Sequence, residues 1–326
     1  MSINRSRRRI GSFAMALCAA PLAGKAAAQA AFPNRPIRMM VGYSAGGGAD
    51  ALGRSFAAKF SHVLQQSVVV ENRAGAGGTL AATALAGAQP DGHTLYWADS
   101  AILVAPAVYD KVAYDPLAFA PVSAICSLLY SIVVHPSFPA RTVKELIAVL
   151  KADPDRYSYA SPGVGNIAHL GAELFKKAAG VKMVHVPYKG GTPALTDLVS
   201  GQVPICFVSL PPVLPLAKAG RLRLLAVTSE KRSPVVPDVP AIAETFPGFN
   251  AVTSGFLLAP PGTPADVVGT LNKAARAAMA MPDLQADYIQ KGALVATGTP
   301  DELAAQIRHE LGVWGSTARE AGARAE

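Results

Sequence analysis

The stretch YSYASPGVGNIAHL, residues 157–170, followed after a helical run by MVHVPYKGGTPALTDLVSGQVPICF, residues 183–207, decides how this chain folds. Twice a short apolar strand runs into a glycine-rich turn that opens a helix. The first turn is Ser161-Pro162-Gly163-Val164-Gly165 and the second is Pro187-Tyr188-Lys189-Gly190-Gly191. A helix start leaves backbone N–H groups without intrahelical partners at the positive end of the macrodipole. Such a turn is suited to a carboxylate or phosphate, and two in succession point to a chain that holds a small anion.

The same grammar extends in both directions. IRMMV (37–41) is a strand and GYSAGGGAD a glycine turn, with a helix from about 49 to 64 that carries Leu52, Phe56 and Phe60 at helical spacing. VVVEN is a second strand, RAGAGG a second turn, and Thr79 opens an alanine-rich helix to about Ala86. Thr94 to Ala98 is a third strand, ending at Asp99-Ser100. This strand–helix alternation predicts a parallel sheet covered by helices on both faces.

A second unit begins with a strand over 130–135. Thr142 and Glu145 have capping-box spacing for a helix to Ala152. Thr192 is expected as an N-cap with Pro193 at the first helical position. After the proline-rich segment 234–247 come the strand GFLLA, a helix capped at Thr263-Pro264, and a last helix capped by Thr299-Pro300-Asp301-Glu302. Late helices following a completed unit imply that the chain re-enters its first domain.

Composition narrows the function. Hydrophobic residues make up 51% of 326 and charged residues 16%, which excludes a disordered chain. Five of the eight net positive charges lie in residues 1–30, so the remainder carries only +3 and gives no basis for nucleic-acid binding. Residues 1–30 read as an export signal: arginines at 5, 7, 8 and 9, an apolar run over 13–22, and small residues at Ala28-Gln29-Ala30. Arg7-Arg8-Arg9 fits a twin-arginine or a general secretory route equally well. No later run reaches the ~20 apolar residues of a membrane span. Cys126 and Cys206 sit in apolar surroundings and are expected as buried free thiols. The six histidines have no metal-ligand spacing, so no metal is expected.

Other chemistries fit poorly. Gly163-x-Gly165-x-x-Ala168 matches a dinucleotide fingerprint, but the next strand ends VHVPY without the acid that would hold a ribose. No G-x-S-x-G elbow is present. Ser161 and His169 are near in sequence without forming a nucleophile–base pair on that ground alone. An exported serine hydrolase using Ser161 or Ser44 is the remote alternative. The turn Ser44-Ala45-Gly46-Gly47-Gly48 is either an ordinary strand–helix turn or a partner to the anion turns. Asp50 is read as a helix-start charge, and RAGAGG as structural.

Several patches occur together and in order: FPNRPIRMMVGYSAGGGAD, VVVENRAGAGGTLAA, PDGHTL, YASPGVGNIAHL, VHVPYKGGTPALTDLVSGQV, LAVTSEKRSP, PDVP and APPGTP. On these the chain resembles the Bug receptors, extracytoplasmic solute-binding proteins of tripartite tricarboxylate transporters, over residues 32–320. The resemblance implies an α/β, two-domain periplasmic-binding-protein fold (type II, Venus flytrap) that closes on its ligand. The expected division is 1–30 signal peptide, 31–128 domain I, 129–251 domain II, and 252–326 returning to domain I.

It also implies a non-enzymatic, monomeric periplasmic protein with no cofactor. Such a protein delivers a small carboxylated ligand to membrane transporter subunits, or to a membrane signalling protein. By motif, the ligand contacts would be Ser44, Ala45, Gly46, Gly47 and Ser100 from the first domain. From the second they would be Ser161, Gly163, Val164, Gly165, His169, Tyr188, Lys189 and Gly190, with Phe207 and Ser209 at the rear. Thr253-Ser254-Gly255 and Val208-Ser209 stand where family members are often bulkier or more polar, and so are expected to enlarge the cleft.

Overall fold

The computed structural model describes residues 32–324 except Ser44, Gly47, Asp155 and Lys189. The export signal expected over residues 1–30 therefore lies outside the described residues.

Seven elements alternate before the chain first changes sheets: β1 (Ile37–Val41), α1 (Gly48–Leu64), β2 (Val68–Asn72), α2 (Thr79–Ala86), β3 (Thr94–Asp99), α3 (Ala101–Val108) and β4 (Ala120–Leu128). The second sheet follows with β5 (Tyr130–Val134), α4 (Val143–Ala152), β6 (Ser158–Ser161), α5 (Ile167–Ala179), β7 (Val184–Pro187), α6 (Gly191–Val199), β8 (Ile205–Ser209), α7 (Val213–Lys218) and β9 (Arg223–Val227). The chain then returns to the first sheet with β10 (Thr253–Ala259), α8 (Ala265–Met279), α9 (Pro282–Gln290), β11 (Ala293–Val295) and α10 (Pro300–Glu320).

The first sheet has the order β11-β4-β10-β3-β1-β2, and the second β7-β6-β8-β5-β9. In the first, β1 runs parallel to β2 and β3, while β10 enters antiparallel between β3 and β4. The fold is thus α/β with two sheets, each mostly covered on both faces. Strand periodicity explains the covering. Met39 and Val41, with Leu95, Trp97 and Leu257, join Phe56, Phe60 and Tyr288 on one face. Their neighbours Met40, Tyr96, Ala98, Phe256 and Leu258 pack with Leu85, Ile102, Leu303 and Ile307 on the other. A side-chain period of two sends alternate residues to opposite faces, so each central strand needs helices on both sides.

The sheets are joined where β4 gives way to β5 and where residues 228–252 lead from β9 to β10. Helix α10 makes a further link. Its first half buries Leu303 and Ile307 against the first sheet, and its second half buries Trp314 and Ala318 in the core of the second. Lys177 meets Glu320 at 2.8 Å near its end.

Local expectations were met unevenly. Thr299 and Glu302 form the expected capping box. At α4, Thr142 accepts from the N–H of Glu145, but the Glu145 carboxylate turns one residue further back, to the N–H of Arg141. The expected cap at Thr192 is corrected: α6 begins at Gly191, capped by Gly190. Gly190 takes φ +112, a conformation open to glycine, and so swings the chain into the helix before Thr192. Pro193 falls within the first turn, where its missing N–H costs nothing. Cys126 and Cys206 are both free and buried, in the cores of different sheets.

Candidate functional site

The turn after β1 is held from behind. Asp50, buried in the first turn of α1, accepts from the N–H of Gly46 (2.8 Å), Arg54 Nε (2.9 Å) and Asn72 Nδ2 (2.8 Å). Asn72 also donates to the carbonyl of Tyr43. The Arg54 guanidinium and these donors pull the Asp50 carboxyl down to about 2. Asp50 is therefore a clamp on the turn as well as a favourable charge at a helix start.

The neighbouring β3–α3 junction is equally tied. Tyr43 donates its hydroxyl to Asp99 at 2.7 Å, and the other Asp99 oxygen takes the N–H of Ala101. Burial raises the Asp99 carboxyl to about 6, against the lowering effect of these bonds. Ser100 bridges three elements. Its Oγ donates to Glu310 of α10 (2.7 Å) and accepts from the N–H of Ser254 in β10 (2.8 Å).

In the second sheet, β6 ends at Ser161 and the turn adopts φ +142 at Gly163 and +74 at Gly165. These values exclude most side chains. The N–H of Gly163 goes to Ser161 Oγ and that of Gly165 to His169 Nδ1, each at 3.2 Å. Gly190 donates to the carbonyl of Pro162. Among the described residues, the Val164 N–H has no partner, and its side chain is 40% exposed.

Between these turns lies a cavity of about 260 Å³. One wall is Tyr43, Gly77 and the α3 residues Ala101, Val104, Ala105 and Val108; the other is residues 162–166. Helix α3 closes the contact by burying Val104 and Val108 in the core of the second sheet. The volume is just below the ~300–1,000 Å³ usual for ligand pockets, which suits a small solute. A crevice of about 680 Å³ lies elsewhere, beside the chain crossings, with Phe246, Val252, His309 and Trp314 in its walls. Size does not decide between them. Only the smaller one has glycine turns and a helix start facing it from opposite sheets.

The expected site residues separate accordingly. Gly163, Val164 and Gly165 line the cavity. Ala45 and Gly46 are exposed in the clamped turn, outside its lining, and the N–H of Gly46 is already taken by Asp50. Ser100, Ser161 and His169 are buried behind the walls. Tyr188 donates to Asp197 at 2.7 Å. Phe207 is fully buried with its ring on Tyr159 and Phe175, a core position, and Ser209 pairs with Tyr130 inside the sheet. Ser44, Gly47 and Lys189 lie outside the described residues.

Thr253 and Ser254 bond to Tyr130 and Glu310, away from the 260 Å³ lining, and Ser254 is in the wall of the 680 Å³ crevice. Gly77, read as structural, is in the wall. Helix α3, which supplies four of the lining residues, was not read from the sequence at all.

Against this geometry, the chain matches the model of the tripartite tricarboxylate transporter family receptor over residues 52–322. The chain belongs to that receptor family. Its fold is the two-domain one of periplasmic binding proteins. The structure of the periplasmic binding protein BugD is 34% identical, with 90% of this chain and all of that one covered at a TM-score of 0.74. A Rhodopseudomonas palustris protein solved with adipate is 34% identical, covering 90% of this chain and all of that one, at 0.78. MatC from the same organism, with bound malate, is 32% identical, covering 88% of this chain and all of that one, at 0.72. The receptors of this family are solute-binding proteins. No helix among the described residues is long and apolar enough to cross a membrane.

Two histidine rings near the receptor's turn, His169 buried and His185 half-buried, give a pH dependence. Burial lowers the pKa of His169, and burial with the neighbouring His169 and Lys176 lowers His185 to about 3. Unfolded histidine titrates near 6.5, so below that pH the unfolded chain holds protons the folded rings refuse. Stability is full above about pH 6.5 and falls with pH, down to about 3 for His185. Asp99 works oppositely: with a raised pKa it adds stability as pH falls from about 6 towards 3.8. Urea unfolding at pH 7.5 and 5.5 should show a loss at the lower pH that is smaller in His185→Phe. The slope is at most about 1.4 kcal/mol per unit per histidine, and shallower for a half-buried ring. Equal losses in both proteins would contradict neutral burial of His185.

Proposed function

We propose that this chain is an exported periplasmic receptor that encloses a small carboxylated metabolite and delivers it to a tripartite tricarboxylate-type membrane transporter. Residues 1–30 act as the export signal. Residues 31–128 with 252–326 form one domain, and residues 129–251 the other. The ligand lies between them, its carboxylate meeting the 163–165 turn on one side and the Tyr43 and Ala101 region on the other. Ser161 and His169 support that turn from behind.

The observation that carries the reading is the 260 Å³ cavity faced by a glycine turn from one sheet and a strand–helix junction from the other. Contacts made to one anion from both sides exist only when the domains are closed. That gives the ligand the differential affinity needed to drive closure. Adipate and malate in related structures indicate carboxylates as the class to try first.

The test is a thermal-shift screen of protein lacking residues 1–30, unfolded and refolded to strip host ligand. The panel comprises aliphatic di- and tricarboxylates, acidic amino acids and aromatic acids. At a hundredfold excess over Kd a true ligand adds about 2.7 kcal/mol, which should raise the midpoint by roughly 4 °C in a chain of this size. A flat response across the panel from verifiably refolded protein would overturn the carboxylate assignment.

A further inference from the structure

Ser161 and His185 form a pair that the sequence did not reveal, being 24 residues apart. Ser161 Oγ lies 2.7 Å from His185 Nε2. It also lies 3.2 Å from both the carbonyl oxygen and the N–H of Gly163. A hydroxyl has one hydrogen to give and two lone pairs to accept with. The Gly163 N–H takes one lone pair, and the Gly163 carbonyl can only receive the hydrogen.

If the serine also had to donate to His185, its single hydrogen would serve two acceptors and one contact would fail. If His185 carries its proton on Nε2 and donates, all three contacts are satisfied at once: two accepted, one given. The ring is fixed in place to do so, stacked on His169 (centroids 4.0 Å apart, 11°) and on Tyr159 (4.9 Å, 19°). Tyr159 is in turn tied through its hydroxyl to Glu173, which also holds Lys176.

The geometry points to His185 as a positioning residue for the anion turn. Protonated on Nε2, it braces Ser161, and Ser161 in turn holds both backbone groups of Gly163 and so sets the loop presenting Val164. The inference rests on the receptor reading for what the turn binds, but not for the brace itself. It also separates binding from hydrolysis. A serine nucleophile needs a histidine nitrogen that is bare and accepts its proton. Here that nitrogen donates and the hydroxyl is saturated, and the lowered pKa of the ring agrees with its staying neutral.

The first readout is long-range proton–nitrogen NMR of the histidine rings in ligand-free protein at pH 7.5, with His185 assigned by its loss in variants. The Nε2–H tautomer is expected; an Nδ1–H tautomer would overturn the brace. The second compares His185→Gln, whose amide can place an N–H near Nε2, with His185→Phe, which keeps a ring in the stack and has no donor. Exchange of the Gly163 amide hydrogen should be about tenfold faster in the Phe variant, as expected for losing one hydrogen bond, and nearly unchanged in the Gln variant. Equal exchange in all three proteins, with melting points confirming folded chains, would overturn the proposal.

Adipate titrated into the same proteins should bind about tenfold more weakly to the Phe variant than to wild type or the Gln variant. Should adipate fail to bind wild type, the choice of ligand is at fault, and the tautomer and exchange still decide the brace.

Discussion

Gly165→Val should weaken carboxylate binding by roughly ten- to a hundredfold while leaving a folded protein. Gly165 has φ +74, where a β-branched residue is strained by about 1–3 kcal/mol. An added Cβ would also sit 3.0 and 3.2 Å from the two methyl carbons of Val108 on the facing wall. The side chain therefore wedges α3 away from the second sheet at the point where the domains must meet. The backbone strain is carried by the free and bound protein alike and lowers stability; affinity falls through the wedge, by the about 1–3 kcal/mol usual for overpacking, or roughly ten- to a hundredfold. Calorimetric titration with the best carboxylate from the screen would measure it. Val108→Ala added to Gly165→Val should recover most of the lost affinity, because it removes the facing methyl groups and leaves only strain that free and bound protein share. Wild-type affinity in Gly165→Val would mean that this turn is not where the ligand is held.

The second large effect concerns α10. Trp314 is 3% exposed and lies in the second sheet's core, on a helix whose first half belongs to the first sheet. Trp314→Ala removes a large side chain from a packed interior, and such truncations cost about 3–5 kcal/mol. The indole nitrogen has no hydrogen-bond partner among the described residues, so no polar bond is lost to complicate the reading. At roughly 1.6 °C per kcal/mol for a chain of this size, the midpoint should fall by about 5–8 °C in a calorimetric scan. A drop of only a degree or two would mean that the second half of α10 is not docked on the second sheet as described.

The fold was largely legible because each strand–turn–helix unit announces itself locally. Glycine turns followed by helices with Leu52, Phe56 and Phe60 at helical spacing need no tertiary information. Helix α3 escaped notice for the opposite reason. Ala101–Val108 reads AILVAPAV, apolar on every side, because it packs against the first sheet, against α10 and into the second sheet's core. A segment apolar all round has no periodic face to betray it. The signal that could have found it is Asp99, whose carboxylate two residues before Ala101 accepts that residue's N–H.

The site was half legible. Glycine spacing pointed to the turn at 163–165, which lines the 260 Å³ cavity with positive φ at both glycines. It could not show that Asp50 already occupies the Gly46 N–H, that Phe207 faces the core, or that His185 rather than His169 reaches Ser161. The first depends on where the Asp50 side chain turns within the start of α1; the other two depend on side-chain direction across strands β6, β7 and β8, with Ser161 and His185 24 residues apart. The departures at Thr253 and Ser254 were expected to widen the cleft. Their bonds to Tyr130 and Glu310 make them part of the joint between sheets.

The most direct measurement is a crystal structure of the refolded protein with the tightest carboxylate from the screen. The account predicts a carboxylate oxygen within about 3 Å of the Val164 N–H, between residues 162–166 and the Tyr43–Ala101 wall, with α3 still packed across it. A ligand seated in the crevice beside Trp314, or one bound with the glycine turn and α3 apart and empty, would contradict it.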